Sequence, residues 1–169
     1  MVIGKTGSEK FYGKYRGIVT DNRDPNCLGR IRAKVSKVLE GKELGWAFPC
    51  VPYAGENVGM LFIPPIGSDV WIEFEGGDIT KPIFAGCFWN SYPVPNLNND
   101  SDIKIIKTQH FTMTVNDKKG EKKIEIKTEK NNQKVVIKPE EIELFHEGCS
   151  IKLTSHDVSI NGKNLKVKK

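Results

Sequence analysis

The sequence predicts an all-β protein of two parts, a small N-terminal barrel and a C-terminal repeat of short strands. Two observations carry this prediction. From residue 103 onward, apolar residues come in pairs separated by one polar residue, and before residue 90 short alternating runs are divided by Gly, Pro and Asp turns. No apolar stripe of helical spacing occurs in the C-terminal stretch, so no helix is available to cover its strands.

Each C-terminal pair indicates a short strand with one apolar face. The first members of successive pairs lie 11, 7, 9, 7 and 7 residues apart, with bends at Pro-Glu, Glu-Gly, Ser-His-Asp and Asn-Gly. A lone ribbon of such strands has no second layer to pack against. Steps of this length provide one strand and one bend, so we expect three chains to close a triangular prism, an intertwined triple-stranded β-helix. The predicted trimer core consists of Ile124, Ile126, Val135, Ile137, Ile142, Leu144, Ile151, Leu153, Val158, Ile160, Leu165 and Val167.

The charge distribution separates the same two parts. Residues 1–100 contain 11 basic and 11 acidic residues, so the whole excess of +5 lies in residues 101–169. A run rich in Pro, Asn and Ser between the parts indicates a linker. We therefore expect an N-terminal arm at 1–10, a barrel at 11–90, a linker at 91–101 and the repeat at 102–169.

The first part holds six candidate strands, at Phe11–Thr20, Gly29–Val38, Trp46–Val51, Gly59–Ile63, Asp69–Glu75 and Pro82–Trp89. The alternation at 69–75 predicts that Val70, Ile72 and Phe74 face one way and that the residues between them face the other. Gly76-Gly77-Asp78 then predicts a turn with positive φ. Five or six strands over about 80 residues suit a five-stranded oligonucleotide/oligosaccharide-binding (OB) barrel.

A series of ordered positions across this barrel resembles one family. The positions are Gly17, Asp24, Pro25, Gly29, Arg30, Trp46, Gly55, Pro64, Gly67, Asp69, Phe74, Gly77, Asp78, Pro82 and Gly86. Their pattern resembles the OB domain of phage baseplate assembly protein V and of the related VgrG-type spikes of contractile injection systems. The C-terminal repeat is similar to the triple-stranded β-helix of the same spikes. The resemblance implies a structural protein, a homotrimeric central spike that sheath contraction drives through the target cell envelope.

The resemblance also implies partners and a location. A baseplate hub protein and the tail tube would lie above the spike, and a separate tip protein is an open possibility at its end. Assembly would take place in the bacterial cytoplasm, and the product would be part of the tail baseplate of a virion or phage-tail-like particle. The start of the chain has no apolar segment of signal-peptide length, so export by a cleaved signal is not expected. Phage, bacteriocin and secretion apparatus all stay open as the parent particle.

An OB barrel with a trimerising tail also suits a nucleic-acid- or glycan-binding module. Charged and aromatic residues of the barrel provide charge and stacking surfaces for nucleic-acid binding: Arg16, Arg30, Arg32, Lys34 and Lys37, with Phe11, Tyr12, Tyr15 and Trp46. A nucleic-acid-binding barrel usually carries a basic excess, whereas the excess here lies on the repeat. The charge distribution therefore favours the spike.

Neither catalysis nor a cofactor or metal is expected. Glu73 and Glu75 suit solvated glutamates on a strand face, and Ser68 lies outside a Gly-x-Ser-x-Gly motif. Some short spikes of the resembled family bind an apex iron through a His-x-His pair, and this chain has none among His110, His146 and His156. The cysteines, Cys27, Cys50, Cys87 and Cys149, lack Cys-x-x-Cys spacing, so we expect them to be buried or half-buried thiols in a reducing compartment.

Overall fold

The computed structural model describes residues 9–36, 38, 41–91, 93–95, 99–162 and the backbone of 165–168. It divides the chain into two compact units, with the division after Tyr92. The strands of the first unit are β1 (Tyr15–Asp21), β2 (Arg32–Val35), β3 (Phe48–Pro49), β4 (Ala54–Gly55), β5 (Val58–Gly59), β6 (Asp69–Phe74) and β7 (Pro82–Cys87). Among the described residues, no helix has the length and apolar content that crossing a bilayer requires.

Five strands of the first unit form one sheet in the order β2-β1-β6-β7-β3. Isolated bridges pair Ile31 with Ala47 and Lys34 with Glu43, so the chain just before β3 also lies beside β2. These bridges bring the two edges of the sheet together and close it into a barrel. With β3 parallel to β7 and the other pairs antiparallel, the unit is a five-stranded OB-type barrel, as predicted.

The barrel core follows from strand alternation. In β6, Val70, Ile72 and Phe74 are buried and the residues between them are half-buried, which confirms the predicted facing. The buried apolar cluster consists of Val19, Ile31, Ala33, Val35, Val38, Leu44, Ala47, Val70, Ile72, Phe74 and Phe84. The predicted turn after β6 is also confirmed, because Gly76 and Gly77 have φ values of 58° and 73°.

The strand predicted at Gly59–Ile63 is wrong. The structure has a hairpin of β4 and β5 instead, which turns at Asn57 with a φ of 57° and ends at Gly59. Residues 60–63 belong to no strand. Two prolines follow them, and a proline has no amide hydrogen with which to continue a ladder.

The second unit is a single antiparallel sheet of eight strands in chain order. Its strands are β8 (Ile103–Lys107), β9 (Phe111–Asn116), β10 (Lys123–Thr128), β11 (Gln133–Ile137), β12 (Glu141–His146), β13 (Cys149–Thr154), β14 (Asp157–Ile160) and β15 (Leu165–Lys168). Every apolar pair of the sequence lies on one of these strands. Each strand pairs with its sequence neighbour in the same chain. The predicted intertwining of three copies would involve contacts between chains, so it stays a prediction.

Tight turns allow this succession of short strands. Asn132, Glu147 and Asn161 adopt φ values of 44°, 53° and 48° at the bends. Asparagine tolerates this left-handed region better than most residues. Because the turns are short, consecutive strands lie in register, and the apolar residues of neighbouring strands are brought directly opposite each other.

Candidate assembly surface

The strand register of the second unit aligns the apolar pairs into two continuous rows. Row 1 runs through Met113, Ile126, Val135, Leu144, Ile151 and Ile160. Row 2 runs through Val115, Ile124, Ile137, Ile142, Leu153 and Val158. Because side chains alternate between faces, both rows lie on the same face of the sheet. We call this face the apolar face.

Seven of the twelve side chains in rows 1 and 2 are exposed in the single chain, and the other five are half-buried. Ile142 and Leu144 are 42% and 43% exposed, while Glu141 and Glu143 of the same strand are half-buried. The usual relation between polarity and burial is therefore inverted. A continuous exposed apolar surface of this kind marks an interaction site on a soluble protein.

A groove of about 530 Å³ runs along one side of the apolar face. Leu144, Ile151 and Ile160 of row 1 contribute to its lining. On the side of row 1 away from row 2, the groove is lined by a partly polar set of side chains: Phe111, Thr128, Gln133, His146 and Cys149. The apolar face is thus bounded by polar groups on this side.

The opposite face of the sheet is charged. Glu141 accepts hydrogen bonds from Lys138 and from Lys152, the latter at 2.8 Å, and these two ammonium groups lower the pKa of its carboxyl to about 2. Lys134 Nζ lies 5.0 Å from the centroid of the Phe145 ring, in a cation–π contact. The sheet therefore has one face suited to water and one suited to burial.

Two of the twelve predicted core residues, Leu165 and Val167, have side chains outside the described residues. The backbone register of β15 pairs them with Ile160 and Val158, so they continue rows 1 and 2. The other ten all lie on the apolar face. The predicted core left out the first two strands of this sheet, β8 and β9. There the apolar face is extended by Ile106, Phe111, Met113 and Val115. The alternation of Phe111, Met113 and Val115 was a signal that could have found β9.

Among the barrel positions, Asp24 and Arg30 form a buried hydrogen-bonded cluster. Asp24 Oδ1 accepts from Arg30 Nη2 at 2.6 Å, and the two side chains are 3% and 13% exposed. The carboxylate of Asp24 also accepts from the backbone amides of Asn26, Leu28 and Arg30. The Arg30 guanidinium and these amides hold the pKa of the Asp24 carboxyl well below its usual range. The pair therefore shapes the loop between β1 and β2.

Several other signature positions have local structural roles. A Cβ on Gly17 would lie 3.2 Å from Ile72 Cγ1, so this glycine allows close packing in the core. Asp78 Oδ1 accepts from the backbone amide of Thr80 at 2.9 Å and orders the turn into β7. Pro64 is buried and its carbonyl accepts from Asn22 Nδ2 at 3.0 Å. The remaining signature positions lie in loops and strands of the barrel. Pro25 and Gly29 lie in the β1–β2 loop, Trp46 lies just before β3, and Gly55 lies in β4. Gly67 precedes β6, Asp69 begins it, Phe74 ends it, Gly77 lies in the turn after it, and Pro82 and Gly86 lie in β7.

Two of the barrel cations considered for nucleic-acid binding are paired with carboxylates of the same chain. Arg30 pairs with Asp24, and Arg32 Nη1 lies 2.9 Å from Glu43 Oε2. Both guanidinium groups also stack near the Trp46 ring, at 5.7 and 5.8 Å from its centroid. Their charges are therefore compensated locally, which weakens the case for a phosphate-binding surface.

The predicted burial of the cysteines is wrong, because all four residues are exposed. Cys27 lies on a surface turn with a φ of 55°, and Cys149 lies on the apolar face beside His146. His110, His146 and His156 are also exposed. Within the described ranges, no three His, Cys, Asp or Glu residues come together as metal ligands. The expectation of no cofactor or metal stays a prediction.

Two family models match the chain, one on each unit. The Type VI secretion system/phage-baseplate injector OB domain matches residues 15–89. The phage baseplate V C-terminal trimerisation domain matches residues 103–166. The first covers β1 to β7 and the second covers the sheet that carries the apolar face.

Similar proteins are spike proteins of Pseudomonas aeruginosa strain PAO1. The Type VI secretion system spike protein VgrG4b is 24% identical over 70% of the chain, and VgrG1a is 28% identical over 60%. VgrG1b is 31% identical over 51% of the chain. The matched regions make up only 16%, 17% and 13% of the lengths of these relatives, respectively.

Proposed function

Because the chain belongs to the family of baseplate V and VgrG-type spike proteins, we propose that it forms the homotrimeric central spike of a phage tail or phage-tail-like contractile particle. The observation that carries this proposal is the exposed apolar face of the eight-stranded sheet. The role is structural, and the family matches point to spike domains rather than to an enzyme.

The apolar face supports a trimer on physical grounds. Covering an exposed isoleucine or leucine contributes up to about 1.5–3 kcal/mol for a fully buried side chain, and rows 1 and 2 repeat this gain along the whole sheet. The chain itself offers no layer to cover the face in its described part. Three copies packed with their apolar faces inward would bury both rows and leave the charged faces toward water.

The proposed position and action follow from the family. The spike lies below the hub protein and tail tube, is assembled in the bacterial cytoplasm and is pushed through the target cell envelope on sheath contraction. Eight strands spaced by about 4.8 Å give a sheet about 35–40 Å long, which suits a short rigid spike. A separate tip protein is a further candidate partner at its end.

The test is the solution mass of the full chain, measured by light scattering coupled to size exclusion. We expect a trimer of the 19.0 kDa chain that resists dilution. Ile142→Asp and Ile151→Asp each place a carboxylate on the apolar face and should prevent assembly, since three unpaired carboxylates would be buried.

Ser159→Asp is the matched control, because Ser159 precedes Ile160 on β14 and lies on the charged face, opposite Lys152. It should leave the trimer intact. A stable wild-type monomer would contradict the proposed function. A trimer in both isoleucine variants would show that the apolar face is not the interface.

A further inference from the structure

A second exposed apolar surface lies in the first unit, on the segment that leads from β4 to β6. Between Glu43 and Asp69 the sequence holds one charged residue, Glu56. Leu61 and Phe62 are 65% and 63% exposed, more than the residues of the apolar face described above. We call residues 53–66 the apolar arm; its other exposed large apolar side chains are Tyr53, Val58, Met60, Ile63 and Ile66. Exposed large apolar side chains concentrated on one segment suit an interaction site.

The apolar arm contacts the β1–β2 loop of the barrel at two points and is also hydrogen-bonded within itself. Asn22 Nδ2 donates to the Pro64 carbonyl at 3.0 Å, and inside the arm the Met60 amide donates to the Tyr53 carbonyl at the same distance. Leu61 Cδ1 lies 3.0 Å from the place that a Cβ on Gly29 would take, so it packs closely over that glycine. Because the arm is already positioned, a partner would not have to order it on binding.

The backbone of the arm has unused hydrogen-bonding capacity. Within the described part of the chain, the amides of Leu61, Phe62 and Ile63 have no acceptor. Pro64 biases the residue before it toward extended backbone. Unpaired amides next to exposed apolar side chains are the combination that a neighbouring chain recognises when it packs or pairs along an edge.

We infer that the apolar arm docks onto the N-terminal unit of a second copy of this chain within the trimer. This inference rests on the proposed function. A short linker joins each barrel to the sheet that assembles with its copies in the proposed trimer. Each barrel is therefore exposed to the other two at an effective concentration of about millimolar order. Residues 1–100 carry equal numbers of basic and acidic residues, so barrels can approach without net repulsion. The near absence of charge on the arm suits burial against another apolar surface.

The experiment introduces the photocrosslinking residue p-benzoylphenylalanine at position 62 of the full-length protein. The matched control carries it at Glu56, an exposed charged residue at the turn of the β4–β5 hairpin, six residues before position 62. After irradiation of the purified trimer, we expect covalent dimers and trimers from position 62, in several-fold higher yield than from position 56. Peptide mapping should locate the second attachment point within residues 9–91 of another copy. Ile142→Asp combined with the probe at position 62 should lose these products, because the barrels would no longer be tethered.

The outcomes separate this inference from the proposed function. A trimer by light scattering with no interchain product from position 62 would overturn the docking of the arm and leave the spike proposal standing. Products that map only to residues 103–168 would also overturn it. A monomer before irradiation would overturn the proposed function and the inference together.

Discussion

At the scale of single residues, the barrel depends on a few polar groups that shape its loops. Asp24 accepts hydrogen bonds from three backbone amides and from the Arg30 guanidinium, all within the loop that joins β1 to β2. Removal of the charge would leave donors with a weaker acceptor in a site that solvent barely reaches. The loop conformation therefore depends on an ionised carboxylate.

We predict that Asp24→Asn lowers the melting temperature of the first unit by several degrees at pH 7. The folded-state pKa of Asp24 lies below its ordinary value of 3.8, so its contribution is fully present above pH 4 and is lost as pH falls through the folded pKa. The difference between wild type and variant should thus be constant from pH 7 to pH 5 and narrow below pH 4. Thermal melts followed by tryptophan fluorescence measure this, since Trp46, Trp71 and Trp89 all lie in the first unit.

The control for this experiment is Glu75→Gln. Glu75 is exposed, and within the described residues its side chain forms no hydrogen bond or ion pair. It should change the melting temperature little at any pH. If the difference in melting temperature between wild type and Asp24→Asn were the same at pH 2 as at pH 7, the role assigned to the Asp24 charge would be contradicted.

At the scale of elements, strand alternation has opposite outcomes in the two units. In β6 the alternating apolar residues are fully buried, because the barrel closes around them. In β12 the alternating apolar residues are exposed, because no other element of the described chain covers that face. The same sequence pattern therefore produces a core in one unit and an assembly surface in the other.

We predict that Ile72→Ala, in the middle of β6, lowers the free energy of unfolding of the first unit by about 2–5 kcal/mol. Ile72 is fully buried, so the substitution leaves a cavity in the barrel core. Denaturant unfolding followed by tryptophan fluorescence measures the loss. The solution mass should stay that of the trimer, since the substitution lies outside the apolar face.

Ile18→Ala makes the same chemical change at an exposed position of β1. Its effect should stay within about 0.5 kcal/mol, as for most surface substitutions. An equal decrease in the free energy of unfolding for Ile72→Ala and Ile18→Ala would show that Ile72 does not lie in the barrel core.

At the scale of the whole molecule, the two units differ in surface and in charge. The second carries the apolar face and a net charge of +4 (15 basic and 11 acidic residues), and the first is a barrel with nearly balanced charges (11 basic and 10 acidic residues) and an apolar arm. In the proposed trimer, the second unit supplies most of the association energy. In the docking that we propose, the arm adds contacts only after the sheets have joined the copies.

We predict that a fragment of residues 1–95 stays folded and trimerises only weakly. The barrel has its own buried core, whereas the fragment lacks rows 1 and 2. Circular dichroism measures the fold, and light scattering over a dilution series measures the mass. A tightly trimeric fragment would move the main interface from the sheet to the barrel.

From the sequence alone one can predict which residues share a strand face, and one can expect the C-terminal half to assemble with copies of itself, which stays a prediction. Both follow from a period of two residues, which is a local property and can be counted along the chain. The sequence also predicted the positive-φ turn at Gly76 and Gly77, since glycine adopts that conformation without steric cost.

Which strands are neighbours and which apolar residues stay exposed depend on long-range packing, which no local pattern shows. The bridge from Ile31 to Ala47 closes the barrel through a long-range contact that no local pattern encodes. The segment at 60–63 has the apolar composition of a strand, yet Leu61 and Phe62 are among the most exposed side chains because no ladder partner lies beside them. The exposed cysteines have the same explanation, since burial depends on what the rest of the chain packs against a residue and not on its hydrophobicity alone.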